Sequence, residues 1–191
     1  MSQLTERQKE ILENAIKIIA NDGIQNLTIK NLSKSIGVTE AALYRHYNSK
    51  HSILLSILDM FEEFSKTPAD ISTGLKGIRS FIMNRYDKFM TNPELSKVMF
   101  SEAVFINNEE LSERMRLIIH GHRKEMEVMI EEAKSKNEII SSIDTKSLFR
   151  MIIGSMRLLV TQWCFNKYSF DLKKEGEILF NNIENIIKAG K

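Results

Sequence analysis

Between Thr28 and Lys50 the chain reads TIKNLSKSIGVTEAALYRHYNSK, and several of its side chains are of kinds that recognise nucleic acid when a rigid element lines them up. Arg45 carries the paired donors that match a guanine edge, while Tyr44 and Lys50 suit phosphate oxygens. Glu40 either accepts from a cytosine amino group or disfavours some sequences. Ala41 contributes by being small, because bulk at that point would hold a helix away from base edges. Thr28, Thr39 and His46 complete the candidate DNA-contacting set.

These residues can act together only if two short helices present them. Thr28 is a good N-cap, whose hydroxyl accepts a free amide of the first turn. Leu32 and Ile36, four apart, face inward, with the small Ser33 beside them where two helices must approach closely. Gly37 tolerates the left-handed backbone that ends a helix. Val38 then supplies an apolar plug, and Thr39 is a second N-cap. From Thr39 the segment TEAALYRHY makes about two turns, with Leu43 and Tyr47 inward and Glu40, Ala41, Tyr44 and Arg45 outward. A Gly-Val turn alone would mark no more than a bend in a bundle. Two caps, a turn glycine, a plug and a basic flank together describe a helix-turn-helix, whose second helix enters the major groove.

The run from Glu6 to Leu58 resembles the DNA-binding domain of the TetR family of bacterial and archaeal regulators. That family shows an opening amphipathic helix, a Gly-bearing turn, Thr before the first motif helix, Gly-Val in the turn, and Leu-Tyr-x-His-Phe with Ser-Lys close behind. Here these are Gly23, Thr28, Gly37, Val38, Leu43, Tyr44, His46, Tyr47, Ser49 and Lys50. The resemblance implies a homodimeric transcriptional regulator, by the family's usual mode a repressor. It would bind a palindromic operator and leave it when a small apolar or amphipathic effector binds. Two positions depart from the pattern. Ala42 stands where the family often has a Ser or Thr able to bond a phosphate, and Glu40 where many members carry a basic or neutral polar residue.

Composition agrees with this division of labour. Net charge is only +2 over 191 residues, too little for a polybasic nucleic-acid coat. Residues 1–50 carry 7 Lys and Arg against 5 Asp and Glu, whereas residues 51–191 carry 20 of each. The positive excess therefore sits on the candidate motif, where phosphates need it. A single cysteine, Cys164, excludes an internal disulfide and a multi-cysteine zinc site. The opening MSQLTERQKE is polar and charged, unlike a signal peptide, and the apolar stretch Met151 to Val160 is too short to span a bilayer. A cytoplasmic protein with no membrane partner is expected.

Helical periodicity dominates a chain with two prolines and eight glycines. It predicts helices over about Thr5–Asn21, the two motif helices, and Ser49–Ser65. Further helices are predicted over Leu75–Thr91, Pro93–Ile106, Glu109–Lys136, Asp144–Asn166 and Phe170–Lys188. The breaker cluster Lys66 to Gly74 separates the fourth from the fifth. The expectation is an all-α fold of about nine helices without strands. A three-helix helix-turn-helix domain would occupy residues 1–50, and a helical bundle for ligand binding and dimerisation residues 51–191. All ten Phe, the single Trp and nine of ten Met follow residue 59. Most of these serve an ordinary core, and a few can line an adaptable cavity.

Two polar residues interrupt apolar stripes. Arg85 falls among Ile78, Phe81, Ile82 and Phe89, and His122 among Leu111, Met115, Ile118, Met126 and Met129. A cation and an imidazole aimed at one interior would suit an anionic head group, with Phe81, Phe89, Met115 and Met126 around an apolar body. The alternatives are that Arg85 reaches solvent along the surface or pairs with a carboxylate such as Glu102, and that His122 is a satisfied core histidine or faces solvent. His120 and His122, two apart, lie on nearly opposite faces and make a poor metal pair. The last two helices are the candidate dimer interface, the alternative being packing within one chain, which must hold for part of each face. Leu148, Ile152, Ser155 and Leu159 lie on one of them, and Leu179, Ile183 and Ile186 on the other.

An enzyme finds no support: GxGxxG, P-loop, HExxH, GxSxG and paired-cysteine motifs are all missing from the sequence, and no cofactor or metal is expected. Two readings stay open. One is a regulator with double-stranded operator DNA, a second copy and a small-molecule effector as partners. The other is a DNA-bound adaptor that acts through protein contacts without an effector.

Overall fold

A computed structural model of the chain describes residues 4–64, 66 and 73–188, the side chain of Glu102 excepted. Among the described residues there are ten α-helices. They are α1 (Glu6–Asp22), α2 (Ile29–Ile36), α3 (Glu40–Tyr44), α4 (Lys50–Phe64) and α5 (Gly74–Thr91). The rest are α6 (Pro93–Met99), α7 (Glu102–Phe105), α8 (Glu109–Ser135), α9 (Thr145–Phe165) and α10 (Leu172–Ile187). A 3-10 turn, Ile24–Asn26, lies between α1 and α2. The all-α expectation holds, with one helix more than expected. The single helix foreseen over Pro93–Ile106 is two, because the Ser101 amide closes a tight bond onto Val98 and its carbonyl then opens α7 through Val104. Residues 65 and 67–72, with most of the breaker cluster, lie outside the described residues.

The helices group into two compact units. The first comprises Met1–Phe64 and Glu94–Arg116, the second Ser65–Pro93 and Leu117–Lys191. By packing, α4 belongs to the first unit, together with Glu94–Arg116. The long helix α8 contributes its opening turns to the first unit and the rest to the second.

In the first unit, α1 begins in a reciprocal cap. The Thr5 hydroxyl accepts the Gln8 amide at 3.2 Å while the Gln8 side chain accepts the Thr5 amide at 3.0 Å. Leu12, Ala15, Ile16 and Ile19 of α1 are buried together with Leu32, Leu43, Tyr47, Ile53, Ile57 and Leu58. Ser35 Oγ donates to Asn14 Oδ1 at 3.0 Å and ties α2 to α1.

In the second unit α10 packs on both α5 and α9. The approach to α5 requires a glycine. A Cβ built at Gly176 would fall against the buried Tyr86 ring, 2.5 Å from Cδ2 and closer still to Cε2. The end of α10 is held by the Ile140 amide, which donates to the Ile187 carbonyl at 2.8 Å.

Candidate functional site

The segment from Thr28 to Lys50 folds as its residues predict. Thr28 Oγ1 accepts the Asn31 amide at 3.0 Å and opens α2. Gly37 closes that helix with φ 78° and ψ 34°, a left-handed conformation that a side chain would strain. The Val38 amide reaches back to the Ser33 carbonyl at 2.9 Å. Thr39 Oγ1 then accepts the Ala42 amide at 3.2 Å and starts α3. That helix has five residues, about 1.4 turns, instead of about two turns. It stops at Tyr44 because the chain must bend Tyr47 into the core and let Ser49 cap α4, where Ser49 Oγ accepts the Ser52 amide at 3.1 Å.

With Leu43 and Tyr47 buried, the outward face of α3 is well defined. Glu40, Ala41, Tyr44, Arg45 and His46 are all exposed, as are the capping residues Thr28 and Thr39. The structure therefore leaves seven of these eight residues exposed, Thr28 at the start of α2 and the other six in or beside α3. Lys50 differs. It is half-buried, and its Nζ donates to the Ile24 carbonyl at 2.7 Å, with burial lowering its pKa below the usual lysine value.

Sequence spacing did not reveal how α4 is held. His51 Nε2 lies 2.6 Å from Glu110 Oε2 at the start of α8. Arg114 bonds Asp59 Oδ1 at 2.8 Å and also Glu62, so one guanidinium grips two acids on successive turns of α4. The partners are more than fifty positions apart, and only opposite charge on two helix faces hinted at them.

In the second unit the α5 stripe is buried as expected: Ile78, Phe81, Ile82, Arg85 and Phe89 all face inward. Arg85 is 3% exposed, and its guanidinium stacks 3.5 Å from the centroid of the Phe81 ring. Burial pulls its pKa down to about 10, against the opposing pull of Glu125, so the charge persists at neutral pH. His122 is half-buried in the field of that charge. Burial first, and Arg85 second, hold its pKa down to about 4, which leaves the ring neutral. Met126 is buried too. Met115 is half-buried and belongs to the first unit. The Glu102 side chain lies outside the described residues.

The proposed dimer residues divide. Leu148 and Ile152 are buried within their own protomer and leave no surface for a partner. Ser155, Leu159, Leu179 and Ile183 are half-buried, and Ile186 is exposed. The apolar residues that α9 does present are Met151, Leu158 and Phe165, spaced by seven, with Ile178 on α10. The sequence carries this signal as a second seven-residue apolar repeat, two positions after the buried repeat Phe149, Met156 and Trp163. Among the described residues no three His, Cys, Asp or Glu come together as a metal site, and no helix is long and apolar enough to cross a membrane.

Residues 11–57 match the profile of bacterial regulatory proteins of the tetR family, and residues 56–188 that of the C-terminal region of YsiA-like proteins. The nucleoid occlusion factor SlmA of Aliivibrio fischeri (strain MJ11) is 28% identical over 156 residues, covering 78% of this chain and 80% of the relative. Among solved structures, the fatty acid degradation regulator FadR of Bacillus halodurans superimposes with a TM-score of 0.80 at 18% identity, covering 96% of this chain and 97% of that one. FadR of Bacillus subtilis in complex with stearoyl-CoA gives a TM-score of 0.71 at 21% identity, covering 91% and 95%.

Proposed function

The chain belongs to the TetR family of transcriptional regulators, and on that premise we propose that it is a repressor that binds a palindromic operator as a homodimer and releases it when a small amphipathic effector binds. The observation that carries the DNA half is the outward face of α3. Small Ala41 lets the helix approach the groove, Arg45 and Glu40 address base edges, and Thr28, Thr39, Tyr44 and His46 border them for phosphate contacts. Lys50 acts either on a phosphate or by fixing the turn at Ile24. DNA binding is assigned to residues 1–50, effector binding and dimerisation to residues 51–191.

One α3 reads few base pairs, so two-fold pairing is needed to extend the site. The exposed Met151, Leu158, Ile178 and Ile186, with Ser155, Leu159, Leu179 and Ile183 beside them, supply an apolar face on α9 and α10 for a second copy. Phe81, Arg85, Phe89, His122 and Met126, all in the second unit, are the effector-binding candidates. A relative crystallised with stearoyl-CoA supports an amphipathic ligand. Transmission would run through α8, whose Glu110 and Arg114 hold α4 directly behind the motif. An effector shifts this equilibrium only by binding one arrangement better than the other.

The adaptor reading keeps one specific support, the similarity to a nucleoid occlusion factor over most of the chain. Genome-wide occupancy separates the two. One or a few promoter sites, lost when a lipophilic anion is added to the isolated complex, fit the regulator. Many scattered sites, indifferent to every such compound, fit the adaptor.

A further inference from the structure

Arg85 is unusual among the cations of the described residues because it sits inside an apolar stripe, nearly inaccessible, with its guanidinium carbon 3.5 Å over the Phe81 ring centroid. Burying an ion is costly, and well-packed apolar residues of similar size serve stability as well or better. Neither the DNA face nor the exposed dimer face uses it. His122 reaches the same interior from α8, close enough for the charge of Arg85 to act on it, and Glu125 acts on Arg85 in turn. Cation, neutral imidazole and carboxylate thus share one apolar region with buried Phe81, Phe89 and Met126, all within the second unit.

We propose that Arg85 and His122 form the head-group clamp for a free long-chain carboxylate, whose alkyl body lies among Phe81, Phe89 and Met126. The inference rests on the effector reading above and narrows it to one class. A guanidinium offers two parallel N–H donors that a carboxylate accepts in register, and the imidazole adds one more. Methionine and phenylalanine adapt to a flexible chain. Charge selects the acid: a carboxylate brought beside the guanidinium and the imidazole favours the cationic form of both, so His122 takes up a proton from solvent on binding. An alcohol brings no charge for the guanidinium, and a thioester offers only a neutral carbonyl. Because Arg85 is 3% exposed, the ligand reaches it only when α5 or α8 moves outward. Movement of α8 is what Glu110 and Arg114 would pass to α4.

The test is calorimetric titration of the full chain with matched acids and alcohols of eight, twelve and sixteen carbons, and with dodecanoyl-CoA. It is run on wild type, Arg85→Met and His122→Gln. At the best chain length the acid should bind about tenfold or more tighter than its alcohol, the worth of one charge-assisted pair. Arg85→Met should erase that preference while still binding the alcohol, which also shows that the variant is folded. The His122 ring, followed by NMR and identified by its loss in His122→Gln, should titrate at higher pH in the acid complex than its free value of about 4. Equal affinity for acid and alcohol, an acid preference that survives Arg85→Met, or binding of the CoA thioester alone would overturn the clamp and leave the effector reading standing. If no member of any pair binds, the effector reading falls and takes the clamp with it.

Discussion

Lys50 Nζ donates a 2.7 Å hydrogen bond to the carbonyl oxygen of Ile24, joining the first residue of α4 to the turn that precedes the motif. A lysine in this place looks like a phosphate contact from its sequence position. Its half-buried ammonium has a structural partner twenty-six positions away instead. We expect Lys50→Met to weaken DNA binding on all sequences and to lower stability by about 1 kcal/mol, the usual worth of one such bond. The slope of log affinity against log salt should stay as it is. A slope reduced by about one in anisotropy titrations would instead reveal a direct phosphate contact.

Arg45 lies on the exposed face of α3, one residue past its last helical turn. Its replacement by Ala should relax preference at one base pair of each half-site by about 1–3 kcal/mol, while affinity for unrelated duplexes changes little. Binding measured against a set of single-base operator variants checks this. An equal loss on every duplex would assign Arg45 to the backbone.

Leu158 and Ile152 sit six positions apart on α9, roughly 120° around the helix, with Leu158 60% exposed and Ile152 2%. Leu158→Glu should dissociate the dimer in sedimentation velocity, with monomer stability changed by no more than about 0.5 kcal/mol. Ile152→Ala should cost about 2–5 kcal/mol in denaturant unfolding of the monomeric form. A dimer that survives Leu158→Glu would move the interface off this face.

Gly176 permits α10 to lie against the buried ring of Tyr86. Gly176→Ala should therefore destabilise the chain by about 1–3 kcal/mol, as overpacking does. Adding Tyr86→Leu removes the obstructing ring atoms, so the double variant should lose less than the sum of the two single changes. Strict additivity would show that the ring simply turns aside.

Arg114 bonds Asp59 and Glu62 from a partly exposed position, so Arg114→Ala should alter stability by no more than about 1 kcal/mol. Its larger effect should fall on the response to ligand, because only the His51–Glu110 contact is then left of the two that hold α8 to α4. Effector titrations of the operator complex that match the wild-type curve would remove this contact from the signalling route.

The parts of this molecule governed by neighbours in sequence were legible without coordinates. The caps at Thr28 and Thr39, the left-handed Gly37 and the inward pair Leu43 and Tyr47 follow from local backbone chemistry, and the structure places them as their residue types require. The buried stripe around Arg85 followed from helical period alone. What escaped depends on partners distant in sequence. No spacing rule links Lys50 to Ile24 or Arg114 to Asp59. Helix α9 is legible only in part for a different reason. It is apolar on more than one face, and period alone does not say whether Leu148 and Ile152 or Met151 and Leu158 turn inward.

The most direct measurement is selection of bound duplexes from a random pool by the wild-type chain and by Arg45→Ala, followed by anisotropy and stoichiometry on the enriched site. An inverted repeat bound by two chains is expected, with one position of each half-site losing its preference in the variant. A pool without enrichment, or an enriched site identical in sequence and affinity for both proteins, would contradict it.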